Sequence, residues 1–377
     1  MALTQDILQY IDSHSEEAYQ LLLELAQIPA PSNHEEQRAE FCCRWLQEQG
    51  AEGVYIDDAL NVVYPIGCTG ENPVAVFMAH SDVVFPDTEP LPLHVQDGKI
   101  YCPGIGDDSA NVTALLMAAK YIAQNGLKPS DHGVLLVINA GEEGLGNLKG
   151  TRHLMKQFGD RVAEFVTFDL YASQIVDEAV GSHRYLVEIC TEGGHSYNAF
   201  GNRNAIAVMA ELIGRLYAVE IPLEGKTTYN VGTIHGGTSV NTIAQQAEML
   251  YEFRSDCRDS LATMERCFDA IIDDFRSRGY DVRVTPVGKR PCSGLVDEDR
   301  RQALKDRGAA AVHQHYGLDV QSTSGSTDCN IPLSMGIPAI CIGCVVGGGA
   351  HTREEYVEID SLRPGIAVAF DLILHHF

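Results

Sequence analysis

The apolar run Ala75-Val-Phe-Met-Ala-His-Ser-Asp82 ends in a histidine followed two residues later by an aspartate. In an extended chain, residues i and i+2 point the same way. Asp82 is thus placed to accept the His80 ring proton that faces away from a metal, fixing the tautomer that coordinates. A strand ending in a polar turn has the same local sequence. Acidic and histidine positions downstream, each at the end of a strand or in a tight loop, favour the metal reading.

Three further stretches carry that pattern. In Cys102-Pro-Gly-Ile-Gly-Asp-Asp-Ser109 the proline and glycines make a tight turn. Asp107 could bridge two cations there with its two oxygens; a helix start capped by Asp107, Asp108 or Ser109 is the alternative. Gly141-Glu-Glu-Gly-Leu-Gly146 follows a fully apolar stretch. One glutamate can ligate a metal while its neighbour takes a proton from a bound water; a solvated loop is the plain alternative. Phe165-Val-Thr-Phe-Asp169 again places a carboxylate after an apolar strand, and Gly347-Gly-Gly-Ala-His351 offers a second histidine. Between them, His195 in Gly193-Gly-His-Ser-Tyr197 suits a contact to substrate. Arg254 suits bidentate grip of a carboxylate, or equally a structural ion pair.

The elements that must position these residues alternate. Apolar periodicity predicts one helix over 4–26, then a second through Trp45 capped by Ser32 or Asn33, and helices over 110–123, 300–316 and 361–374. Short strands are predicted at 54–56, 62–65, the His80 run, 134–140, 165–169 and 339–344, with a polar loop at 324–330. This order predicts an α/β fold, a mostly parallel sheet sandwiched by helices, with ligands at the carboxyl ends of the strands. From Arg184 the texture changes: strands at 184–191, 227–235, 247–255 and 282–287 with helices at 205–219 and 261–277. An inserted α+β domain over 184–289 is expected, within a catalytic domain of 1–183 and 290–377.

Acidic residues outnumber basic ones 52 to 27, a formal charge of −25, which argues against a nucleic-acid backbone or an anionic membrane as partner. No apolar run approaches the roughly 20 residues that span a bilayer. Eleven scattered cysteines and no signal peptide point to a reducing cytoplasm. Cys341-Ile-Gly-Cys344 reads as a buried strand, Cys42-Cys43 as core, and His375-His376 as a frayed end.

Taken in order, His80-x-Asp82, Gly104-Ile-Gly-Asp107-Asp108, Gly141-Glu142-Glu143-Gly144, Asp169, Gly194-His195, Asn241, Arg254 and His351-Thr-Arg-Glu-Glu-Tyr resemble the co-catalytic zinc exopeptidases and deacylases. That family includes aminoacylase, glutamate carboxypeptidase, succinyl-diaminopimelate desuccinylase and peptidase T, and the resemblance covers essentially the whole chain. It implies two Zn2+ per subunit, replaceable by Co2+ or Mn2+. His80 and Asp169 would hold one, Glu143 and His351 the other, with Asp107 bridging. Asp82 would orient His80 and Glu142 would be the general base. The Asp107–Asp108 peptide would be cis. The inserted domain would be a lid and dimerisation domain, with His195 reaching the partner subunit's site and Asn241 and Arg254 gripping substrate. Gly236-Gly-Thr-Ser-Val-Asn-Thr and Ser326-Thr-Asp-Cys-Asn look most like the peptidase T branch. Cys102 stands where that family often has glycine, and Ser109 where it often has lysine.

The resemblance implies hydrolysis of a small peptide: the metals acidify a bridging water, Glu142 takes its proton, and the resulting hydroxide attacks the amide. A di- or tripeptide aminopeptidase is the favoured activity; an N-acyl-amino-acid deacylase or a carboxypeptidase is the alternative within the family. A two-metal phosphoesterase is disfavoured by the acidic surface and single candidate arginine. A non-catalytic peptide-binding relative would not need Glu142.

Overall fold

A computed structural model describes residues 3–144 and 146–377; within the glutamate loop, Leu145 lies outside the described residues. The chain divides into two compact units, one of residues 1–179 with 294–377 and the other of residues 180–293.

The first unit is built on an eight-stranded sheet: β1 (Tyr55–Ile56), β2 (Val62–Ile66), β3 (Val74–His80), β4 (Gly133–Asn139), β5 (Val162–Phe168), β6 (Gln174–Ala179), β7 (Gln321–Gly325) and β8 (Ala339–Ile342), in spatial order β1-β2-β4-β3-β5-β8-β6-β7. The pairs β3–β4, β3–β5, β5–β8 and β6–β7 are parallel. The pairs β1–β2, β2–β4 and β6–β8 are antiparallel. The sheet is therefore mixed and mostly parallel, as the alternation of elements predicts.

The uninterrupted apolar runs of β3 and β4 follow from burial on both faces. Ala75, Phe77 and Ala79 enter one core beneath helices Ala110–Gln124, Glu298–Tyr316 and Leu362–Leu374. Val74, Val76 and Met78, from the same strand, enter the opposite core with Leu154 and Met155 of helix Lys149–Phe158. Removing each such side chain from water contributes about 1.5–3 kcal/mol. That drive fixes the register, since a slip by one residue would exchange the two faces.

The consequence for function is positional. β4, β3 and β5 are adjacent and parallel, so His80, the glutamate loop after β4 and Asp169 after β5 emerge side by side at one edge of the sheet.

Several expectations need correction. The predicted 4–26 helix is two helices, Gln5–Ser13 and Ser15–Gln27, because the chain leaves helical geometry at His14. The next helix runs Glu36–Glu48 and is not capped by Ser32 or Asn33. The Ser32 hydroxyl instead bonds Asp82, and Asn33 adopts a left-handed conformation (φ 73°). The predicted polar loop at 324–330 is present at 326–329, with β7 running on to Gly325 at one end and helix Asn330–Ser334 starting at the other. His376 is not frayed; it is 8% exposed, 2.5 Å from His132 and 2.9 Å from Glu164.

The second unit is a βαββαβ arrangement. Its four long strands are antiparallel, in the order Thr227–Gly236, Gln246–Ser255, Gly181–Cys190, Asp281–Arg290. Helices Ala205–Tyr217 and Arg258–Ser277 supply Met209, Leu212, Met264 and Phe268 to the core it shares with Val187, Met249 and Phe253. Asn204 starts the first of these helices by accepting bonds from Ile206 and Ala207 N–H. Among the described residues no helix is long and apolar enough to cross a membrane.

Candidate metal centre and active site

His80 ends β3 wholly buried. Its Nε2 lies 2.9 Å from Asp107 Oδ1 and 3.8 Å from Asp169 Oδ1. The other oxygen of Asp107 lies 3.1 Å from His351 Nε2, and His351 Nε2 is also 3.1 Å from Glu143 Oε1. Asp107 thus presents one oxygen to His80 and the other to the His351–Glu143 pair. This is the division that a carboxylate bridging two cations requires. The turn that aims it begins at Gly104, whose φ of 74° suits glycine; a Cβ there would lie 2.3 Å from Val83 Cγ1. The Asp107–Asp108 peptide is cis.

Three buried carboxylates, Asp107, Glu143 and Asp169, converge here, and that arrangement is the test of whether a metal fits. Burial, together with the charges of Asp107 and Glu142, pushes Glu143 up to about 7. Burial and Asp107 likewise push Asp169 well above the usual carboxylate range. Burial also opposes charge on Asp107, but hydrogen bonds from His351 and His80 outweigh it and hold that carboxyl below its ordinary value. Ligand atoms of His80, Asp107 and Glu143 lie within 4.8 Å of one another, as do those of His80, Asp108 and Asp169. Crowded like charges with two imidazoles are costly to bury unless a cation compensates them. An oxygen and nitrogen donor set of this kind suits zinc and similar divalent ions. The residues fit the metal.

The surrounding shell departs from expectation at Asp82. His80 Nδ1 is 3.0 Å from the main-chain oxygen of Asp82, while the carboxylate is 3.6 Å away. The carboxylate instead accepts bonds from the Glu142 N–H (2.9 Å), the Glu143 N–H (3.0 Å) and the Ser32 hydroxyl (2.7 Å). It anchors the loop that carries both glutamates. Glu142 itself is 5% exposed and adjoins Glu143 in the chain.

Residue-by-residue reading missed other parts of this shell. Asp108 Oδ2 accepts the His80 main-chain N–H at 2.8 Å and Oδ1 accepts Asn111 Nδ2 at 2.6 Å. Its place beside Asp107 was the only signal. Lys149 and Glu35 pair at 2.9 Å, and Glu35 also takes the Asn33 N–H. Glu355 is wholly buried under the turn that carries Asp107. Glu35 looks in the sequence like an ordinary surface glutamate, and Glu355 stands inside the His351-Thr-Arg-Glu-Glu-Tyr stretch with no role assigned to it.

His195, Asn241 and Arg254 belong to the second unit. The Ser196 N–H donates to the Asn241 main-chain oxygen at 2.9 Å, placing His195 and Asn241 together at an exposed pair of short antiparallel strands, Gly194–His195 and Thr242–Ile243. Arg254 is half-buried and pairs bidentately with Glu252, both contacts 3.1 Å.

Residues 76–375 match the model of Peptidase family M20/M25/M40. The chain belongs to that family. It is therefore a hydrolase of the M20 peptidases, and the buried His, Asp and Glu groups are its metal-binding centre. Among relatives, it is 24% identical over 313 residues to a succinyl-diaminopimelate desuccinylase of Paraburkholderia xenovorans, covering 76% of this chain and 79% of that protein. In fold it is similar to a tripeptidase of Staphylococcus aureus, with a TM-score of 0.75, 23% identity and coverage of 95% and 97% of the two chains. The aminopeptidase PepT of Bacillus cereus is similar too, with a TM-score of 0.70, 21% identity and coverage of 95% and 98%.

Proposed function

We propose that this M20 hydrolase is a two-zinc aminopeptidase of di- and tripeptides. The observation that carries the two-metal reading is the division of the Asp107 oxygens between His80 and the His351–Glu143 pair. His80 and Asp169 would hold one ion and Glu143 and His351 the other, with Co2+ or Mn2+ as substitutes. When bound, the ions supply activation of water and polarisation of the amide carbonyl.

The chain's own residues do the rest. Glu142, held by its N–H on Asp82, accepts the proton of the attacking water and returns it to the departing nitrogen. A groove of about 600 Å3 opens beside Glu143, walled by Pro31, Val83, Val84 and Pro86. That volume suits a small ligand. In the second unit, Asn241 and Arg254 would hold the substrate and His195 would stabilise the oxyanion of the partner subunit's substrate. That role requires a homodimer through residues 184–289, and a monomeric mass in solution would remove it. Likeness to the tripeptidase and PepT structures supports the peptide reading. Likeness to the desuccinylase supports the second reading, an N-acyl-amino-acid deacylase.

Hydrolysis of a panel separates them: unblocked tripeptides, N-terminally blocked peptides and N-acetyl amino acids, each with wild type and Glu142→Ala. Cleavage that needs a free amino terminus and falls by two or more orders of magnitude in the variant is the expected result. Cleavage of blocked substrates alone moves the assignment to the deacylase, and equal rates for the two proteins overturn the role of Glu142.

A further inference from the structure

The turn that carries Asp107 is held by a buried carboxylate, that of Glu355. Glu355 is 0% exposed. Its Oε2 accepts the Gly104 N–H and its Oε1 accepts those of Gly106 and Asp107, all three at 2.8 Å. Its main-chain oxygen takes a fourth N–H, that of Cys102, at 3.1 Å. A buried carboxylate accepting three amide N–H groups of one turn, those of Gly104, Gly106 and Asp107, makes bonds that are charge-assisted in its ionised form and then each about twice as strong as a neutral one.

The same segment carries His351. From His351 the chain makes one tight turn, with Thr352 N–H bonded to Gly349 O at 3.0 Å and Glu355 N–H to Thr352 O at 3.4 Å. It then pairs as a strand, Tyr356 opposite Tyr101 and Val357 opposite Ile100. Glu355 stands between these two features. Its side chain grips the turn that aims Asp107 while its backbone fixes the turn that aims His351. Glu355 thus joins the two segments whose side chains meet at 3.1 Å, His351 Nε2 and Asp107 Oδ2.

We infer that Glu355 is a positioning residue for the metal centre, locking the bridging carboxylate of Asp107 to the His351 loop so that both metals are bound tightly. The inference rests on the two-metal reading above. Glutamine is nearly the same size, but it has one oxygen where the carboxylate has two. At least one of the three N–H groups would then face an amide donor, and the turn would lose its fixed aim. Partners of metal ligands commonly alter metal affinity by ten- to a hundredfold when replaced.

The test is titration of the metal-free full chain with Zn2+ alone, followed by calorimetry. It compares wild type, Glu355→Gln, Glu355→Asp and the exposed neighbour Glu354→Gln, with the melting temperature of each metal-free protein recorded alongside. Zn2+ affinity lower by ten- to a hundredfold in Glu355→Gln, partly recovered in Glu355→Asp and unchanged in Glu354→Gln, is the expected result. A merely structural glutamate would lower the melting temperature and leave affinity within twofold, and that outcome overturns the inference. If Glu355→Gln does not fold, Glu355→Asp carries the comparison: a shorter carboxylate with unaltered affinity overturns it equally. Failure of wild type itself to bind Zn2+ would overturn the two-metal reading and the inference with it, whereas wild-type binding that Glu355→Gln leaves unaltered overturns the inference alone.

Discussion

Replacing Asp82 by asparagine separates two roles for this residue. Its carboxylate, 0% exposed, takes the Glu142 N–H on Oδ1 and both the Glu143 N–H and the Ser32 hydroxyl on Oδ2. Asparagine keeps one acceptor oxygen and turns the other position into a donor. With that oxygen facing Glu143 and Ser32, the Glu142 N–H meets an NH2 group and is left buried without an acceptor. Loss of one charge-assisted bond costs about 1.5–3 kcal/mol, and an orphaned buried donor costs a further 1–3 kcal/mol. A total of about 3 kcal/mol weakens the hold on the loop by roughly two orders of magnitude. The opposite amide orientation loses two bonds and costs more. Amide hydrogen exchange reads this directly. Protection at Glu142 and Glu143 should fall about a hundredfold in Asp82→Asn, together with turnover. Unchanged protection with reduced turnover would refute the anchoring role and return Asp82 to a partner of the His80 ring alone.

Two other changes are expected to act away from the glutamate loop. Glu164 is paired with Arg307 and with His376; burial raises its pKa, but these partners outweigh it and lower the value from 4.5 to about 2. The shift stabilises the fold by about 3 kcal/mol above pH 4.5, and that contribution is lost as pH falls from 4.5 toward 2. Glu164→Gln should therefore unfold at lower urea at pH 7, followed by fluorescence of Trp45, the single tryptophan. The gap should narrow as pH falls through 4.5, and a pH-independent gap would contradict the assignment. Gly104→Ala should also destabilise by about 1–3 kcal/mol, read by the same urea midpoint, since its Cβ meets Val83 in a left-handed turn. A midpoint equal to wild type would show that the turn has room.

The site was more legible than its supports because ligands advertise themselves by chemistry. A histidine after an apolar run, glycine-flanked acids and a glycine-rich loop before a histidine are unusual choices. Their order along the chain resembles one family closely, and the match over residues 76–375 bears that out. Supports use common residues in common contexts. Ser32 read as a helix cap and Asn33 as its alternate, since a serine before a helix is a standard cap. It is the fold that brings Ser32 within 2.7 Å of Asp82, fifty residues later.

The sequence by itself determined the element types, because period and apolar content report how many faces of a segment are buried. β3 and β4 have seven residues each with every position buried, and their unbroken apolar runs already said so. It also determined the kind of chemistry, since ligand identity is covalent. Tertiary structure alone decided which strands are neighbours, and therefore that His80, Glu143 and Asp169 share an edge. It alone decided that the Asp82 carboxylate serves the glutamate loop, and that Glu355 lies beneath a turn some 250 residues earlier. The physical reason is that a hydrogen bond between distant segments leaves no periodicity in either one. Only the folded chain, paying for a buried carboxylate with three amide donors, displays the choice.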